Sequence, residues 1–207
     1  MASSARDIIP QQKEGNQSNI IEKINPKNEE QAKQIFNEAK KRLLSVNSWK
    51  EISGDISASF TLTSAEGDKI ERDAQTGDYF KIDIPGPGTK TGEGYDWVRI
   101  EAIEDYSNAS AENESFGMRV RPAPNPHKNA GDKGAAHFFK DEATSNFVIE
   151  RKDTIVSAAV YGRNEKPNTA THKPLDKVRN AVVGTTAIIG LSIIQWKKLV
   201  KGLIGKK

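Results

Sequence analysis

Four short segments between Ser57 and Arg121 alternate apolar and polar residues, two β-rich runs follow before Tyr161, and no helical stripe separates any two of the six. Parallel strands need a crossover of a dozen or more residues, usually a helix, so this order excludes a parallel α/β sheet and demands antiparallel neighbours. Phe60 and Leu62 share a face of Ser57–Leu62, as do Phe80, Ile82 and Ile84 of Tyr79–Ile84. In Asp96–Ile103, Val98, Ile100 and Ala102 oppose Trp97, Arg99 and Glu101; in Phe116–Arg121, Phe116, Met118 and Val120 oppose Arg119 and Arg121. Period-two alternation of this kind marks half-buried strands. Asn146–Arg151 and Thr154–Tyr161 read as a hairpin about Lys152-Asp153, with Gly162 ending the second strand.

Upstream the period changes. Ala32, Ile35, Phe36, Ala39, Leu43 and Leu44 recur at helical spacing between Glu29 and Val46, with Asn28 as the cap. Glu29 and Glu30 open this helix and Lys40, Lys41 and Arg42 close it, which suits the helix dipole. Downstream, Pro174 can start a helix that runs to about Ile189 and is interrupted by Gly190. Ser192 and Gln195 have capping-box spacing for a second helix, with Ile193, Trp196, Leu199, Val200 and Leu203 on one face and Lys197, Lys198 and Lys201 on the other. The expected fold is α+β: an N-terminal helix, an antiparallel sheet of six or slightly more strands bent toward a small barrel, and two C-terminal helices. The expected divisions are a flexible arm at 1–27, rich in Gln, Asn, Ser and Lys, a helix-plus-sheet domain at 28–173, and a helical segment at 174–207 packed on that domain or on a partner.

The chain of 207 residues has no cysteine, which removes disulfides, thiolate metal sites and cysteine nucleophiles. Its net charge is only +3, but residues 51–150 hold ten basic against nineteen acidic side chains and residues 151–207 twelve against three. Such an acidic middle opposes a nucleic-acid surface spanning the protein, and the basic tail is expected to be neutralised by the acidic middle. The opening residues form no apolar signal segment, so the expected location is cytoplasmic. The apolar run Ala181–Trp196 is shorter than a membrane span and carries Gly184, Gly190 and Gln195; surface attachment through the basic last helix stays open.

Chemistry is sparsely marked. Of His127, His137 and His172, only His137 has carboxylates nearby in sequence, at Asp141 and Glu142, and no metal motif occurs. No Gly-x-Ser-x-Gly elbow is present, and the glycine-rich loop 85–94 lacks both a Gly-Lys-Ser/Thr sequence and a following helix. Asp83, Glu93, Asp96 and Glu101 could form an acid/base pair, or simply an acidic outer face. Arg119, Arg121, Lys128, Lys133 and Lys140 beside Phe138 and Phe139 give a diluted basic-aromatic character. The expected function is therefore a non-enzymatic interaction or structural subunit of a protein assembly, homo-oligomeric or with a protein partner, using Trp196, Leu199, Val200 and Leu203. No metal and no cofactor is expected. The alternatives are an enzyme or small-ligand binder at a barrel mouth, with His137, Asp141, Arg119 and Arg121 as candidates, and peripheral membrane binding through the tail.

Overall fold

The computed structural model describes residues 4–54, 58–83, 94–108, 111–127, 135–168 and 193–206. Seven antiparallel strands form one sheet in the order β1-β7-β6-β5-β4-β3-β2. They are β1 (Asn16–Ile24), β2 (Ser59–Thr63), β3 (Tyr79–Asp83), β4 (Asp96–Tyr106), β5 (Asn113–Pro122), β6 (Thr144–Lys152) and β7 (Ile155–Glu165). The sheet is open, with β1 and β2 at its two edges. Between β1 and β2 lie α1 (Glu29–Leu44) and the short α2 (Trp49–Ser53), and a third helix, α3, spans residues 193–203. The α+β class follows directly from these elements.

The expected inner face forms as its alternation requires. Phe60, Leu62, Phe80, Ile82, Val98, Ile100, Phe116, Met118, Val120, Phe147 and Ile149 are all buried in one cluster with Ala32, Phe36, Ala39 and Leu43 of α1 and Leu199, Val200 and Leu203 of α3. Asn28 caps α1 by accepting from the Gln31 amide at 2.9 Å. One strand departs from strict alternation. A register shift between Ile100 and Ala102 brings Ile103, rather than Ala102, toward the core.

The segment 1–27, read from sequence as a flexible arm, contains two ordered elements. Residues 16–24 are β1, hydrogen-bonded to β7 along its length. Ala5–Ile8 form a 3-10 turn that lies on the outer face of the sheet, where Ala5 and Ile8 pack with Val148, Ala159 and Tyr161. The Ala5 amide donates to Ser115 Oγ at 3.0 Å, Arg6 makes two bonds to the Glu150 carboxylate at 2.7 and 2.5 Å, and Arg119 Nη1 donates to the Ile8 carbonyl at 3.0 Å. The strap fits because Gly117 lies beneath it: a Cβ there would stand 2.6 Å from Ile8 Cδ1. β1 escapes a compositional reading because an edge strand needs only one apolar face, here Ile20 and Ile24, while Asn19, Ile21 and Lys23 face water.

Gly162 does not end β7. The strand continues to Glu165 through a bulge at which Asn164 adopts φ 54°, and the Asn164 side chain accepts from the Lys13 amide at 2.8 Å. The β6–β7 connection is Asp153-Thr154, one residue later than expected, with Asp153 at φ 52°. The expected helix 174–189 and the loop segments 85–93 and 128–134 lie outside the described residues.

A buried ion pair latches the hairpin end. Arg151 is fully buried and its Nε donates to Glu114 Oε2 at 2.6 Å, while its Nη1 donates to the Asp153 carbonyl at 3.0 Å. Glu114 in turn accepts from the Asn108 amide at 3.0 Å, so both charges are satisfied. Glu114→Ala should cost about 3–5 kcal/mol, because it strands the guanidinium; urea denaturation reads the loss. Gly117→Val should displace the strap and open Arg6 and Lys13 to trypsin while the far-ultraviolet circular dichroism of the sheet persists.

Candidate functional site

The inner face is organised around Trp49. Its ring lies 5.2 Å from Phe60, 5.4 Å from Phe80, 5.1 Å from Phe147 and 6.5 Å from Trp196, mostly edge to face. The indole N–H donates to the Arg42 and Leu43 carbonyls at 3.2 and 3.1 Å, so the last turn of α1 fixes the ring's orientation. Trp196 of α3 closes the cluster against Phe60 at 6.1 Å and Phe147 at 5.2 Å.

α3 is clasped onto this face from both ends. Near its C-terminus, Arg42 donates to the Leu203 carbonyl at 2.9 Å and Lys206 pairs with Glu22 of β1 at 2.8 Å. The hydrogen bond from Lys206, aided by Lys201 and Lys197, holds the Glu22 carboxyl below its usual range. In the described part of the basic tail the cations divide: Lys206 meets Glu22 of β1, while Arg151 meets Glu114 of the acidic middle. Gly202 allows close approach to α2, since a Cβ there would stand 2.2 Å from the Ile52 carbonyl oxygen.

The N-terminal end of α3 is different in character. Ile193 is 42% and Ile194 54% exposed, and Trp196 is only half-buried. Ile193 therefore does not belong to the buried stripe in which its spacing places it, and Ile204 is buried instead. Between these residues Gln195 Oε1 accepts from the Ala58 amide at 2.8 Å, while its Nε2 is shielded from water without a hydrogen-bond partner among the described residues. Buried Ser53 Oγ, at the end of α2, is likewise without one. A buried donor left unpaired in apolar surroundings costs free energy and calls for an explanation. At the other edge of the sheet Glu165 accepts from Ser18 Oγ at 3.3 Å, and burial pushes its carboxyl up.

The sequence candidates disperse. His137 is buried, its ring stacked on Phe138 at 4.3 Å and Phe139 at 5.9 Å, and its Nδ1 accepts from the Phe139 amide at 2.9 Å. Burial lowers its pKa to about 3, so it is a neutral turn-forming acceptor. Arg119 and Arg121 both pair with Glu101, at 2.9 and 2.5 Å, and Arg121 Nη1 also donates to the Asp141 carbonyl at 2.7 Å. These three residues brace the outer face, and Arg121 borders a cleft of about 660 Å³ with Lys13, Glu14, Glu142 and Asn164. His137 makes no bond to Asp141 among the described residues, and no group of His, Asp and Glu placed to hold a metal occurs among them. His127 packs edge-on against Trp97 at 5.9 Å; His172, Lys128, Lys133 and Glu93 lie outside the described residues. Trp97 faces outward yet is buried, because residues near Ala123 and Ala136 bond to its backbone and cover that end of β4.

No protein-family model matches the chain, and no curated protein matches its sequence. Among solved structures the chain is similar to Ara h 8.0201, at 13% identity over 89% of this chain and 99% of that one, with a TM-score of 0.28. It is similar to norcoclaurine synthase from Thalictrum flavum at 6% identity over 87% and 85%, TM-score 0.35, and to a protein from Arthrobacter aurescens at 10% over 90% and 85%, TM-score 0.38. Likeness of this degree assigns neither a ligand nor a reaction. Among the described residues no helix is long and apolar enough to cross a membrane.

The neutral His137 has a measurable consequence. Its folded pKa, about 3, lies below its ordinary value of 6.5, so the unfolded chain takes up a proton first and native stability falls as pH drops from about 6.5 toward 3. His137→Asn keeps an acceptor for the Phe139 amide and removes this titration. Urea denaturation at pH 7 and pH 4.5 should show a smaller stability loss in the variant than in the parent.

Proposed function

We propose that the chain is a binding protein for a small, largely apolar molecule that carries a hydrogen-bond acceptor, seated at the mouth between the first turn of α3 and the start of β2. The observation that carries this reading is the Gln195 side chain, anchored through Oε1 to Ala58 while its Nε2 donor is withdrawn from water and has no partner among the described residues. Ligand sites of this kind are mainly apolar with a few convergent polar groups, and an acceptor on the ligand would satisfy the Gln195 donor. Ile193 and Ile194, exposed beside it, supply apolar surface at the entrance, and Trp196 supplies an aromatic wall.

The same geometry disfavours the subunit reading. Leu199, Val200 and Leu203, expected as a partner-facing stripe, are buried against the chain's own sheet and cannot meet a neighbour while they stay there. Nor do His137, Asp141, Arg119 and Arg121 line this mouth, so the reading is of binding rather than of catalysis by those residues.

Titration of the full chain with prodan, an aromatic ketone whose emission shifts to the blue in apolar surroundings, tests the proposal. Saturable blue-shifted emission with quenching of tryptophan fluorescence is expected. Gln195→Leu should weaken binding roughly fivefold, the worth of a hydrogen bond of about 1 kcal/mol, and Trp196→Ala should weaken it further. Absence of saturable binding, or equal affinity in both variants, would contradict the reading.

A further inference from the structure

The outer face holds a second concavity, remote from α3. It is a trough of about 490 Å³ between the strap and the β6–β7 hairpin. Its floor follows from the register: Lys23 of β1 stands opposite Ser157, Ser157 opposite Glu150, Glu150 opposite Ser115, and Ser115 opposite Tyr106. Strand alternation turns all five side chains to the same side. One wall is Ser4 and Arg6 of the strap, and the other is Ile155 and Lys152, which pair across the hairpin.

Three features of this trough converge. First, its charges are unbalanced. Glu150 is neutralised by the two-bonded Arg6, and the Arg151 guanidinium is spent on Glu114. Lys23 and Lys152 stand exposed with no ion pair or hydrogen bond to the described residues, which leaves the trough with two uncompensated positive charges. Second, its hydroxyls are set to donate. Ser115 Oγ already accepts from the Ala5 amide and Ser4 Oγ from the Arg6 amide, so the proton of each hydroxyl is the part left to point at an acceptor. Third, Ile21 and Ile155, each 45% exposed, flank the cations with apolar surface. Ile21 and Ile155 thus offer apolar surface next to the unpaired cations.

We infer that this trough binds the anionic head of an amphiphile, a phosphate monoester or diester with an apolar chain, with Lys23 and Lys152 on the phosphate oxygens and the chain lying along Ile21 and Ile155. The volume lies in the range of small-molecule sites. The same head-group chemistry is offered by a soluble alkyl phosphate and by an anionic lipid surface, and the test separates them.

The full chain, labelled with ¹⁵N, is titrated with octyl phosphate below its micelle concentration, with inorganic phosphate, and with vesicles of phosphatidylglycerol or of phosphatidylcholine. Saturable amide shifts at residues 21–23, 113–115 and 150–157 are expected with octyl phosphate, and inorganic phosphate should bind more weakly because it lacks the chain. The double variant K23Q/K152Q should bind at least tenfold more weakly, as should the parent in 0.5 M salt, and Ile155→Ser should weaken octyl phosphate more than inorganic phosphate. Co-sedimentation with phosphatidylglycerol but not phosphatidylcholine vesicles, lost in K23Q/K152Q, would assign the head group to a lipid surface; shifts with octyl phosphate alone would assign it to a soluble molecule. No saturable response to octyl phosphate or phosphatidylglycerol, shifts confined to α3, or unchanged affinity in K23Q/K152Q would overturn the inference. Both lysines are exposed, so the double variant is expected to fold as the parent does.

Discussion

The packing of the Trp49 indole is the interaction on which the rest of the inner face depends. One fully buried ring touches β2 through Phe60, β3 through Phe80, β6 through Phe147 and α3 through Trp196, and its N–H is committed to the end of α1. Edge-to-face aromatic pairs contribute about 0.5–1.5 kcal/mol each beyond their buried area. Three such pairs and one tilted pair, with Phe147, meet at this side chain and make its position a common constraint on helix docking and sheet packing alike. Trp196 reaches Trp49 and Phe147 from the first turn of α3 while Ile193 and Ile194 beside it stay exposed.

The other face of the sheet is closed by different means. Alternation puts Gly117, Val148, Ala159 and Tyr161 outward, a shallow apolar patch that would otherwise meet water, and the strap covers it with only Ala5 and Ile8. Little apolar area is involved, so directional bonds do much of the holding, through Arg6 to Glu150, Arg119 to the Ile8 carbonyl and the Asn164 side chain to the chain near Lys13. Where the strap ends, the floor turns polar, and that boundary creates the lysine-lined trough.

How much of this the sequence showed depends on how local the cause was. α1 and the inner faces of β2 to β5 were legible because burial writes a period into neighbouring residues, as at Phe116, Met118 and Val120, whereas β6 and β7 showed only as a β-rich hairpin. β1 was missed because an edge strand needs few apolar residues, and the strap because two small contacts leave no periodic trace. Trp49 was missed because five-residue α2 is too short to show a stripe. The bulge at Glu101 moved Ile103 inward, and the loop residues around Ala123 and Ala136 buried Trp97 on the face assigned to solvent. The histidine with nearby carboxylates, His137, proved to be a buried turn acceptor. The unpartnered Gln195 donor could not be read at all, since it is defined by a bond to Ala58, 137 residues away in sequence.

A small-ligand role rests on the first turn of α3, where Gln195 and Trp196 stand beside the exposed Ile193 and Ile194, while Arg42 and Lys206 hold the helix at its other end. Hydrogen–deuterium exchange of the full chain, with and without saturating prodan, measures this most directly. The account predicts slowed exchange in residues 193–199 and at the start of β2, with β5 and β6 unchanged. Exchange in α3 that is identical in the two states, or protection that appears only on the outer face of the sheet, would contradict it.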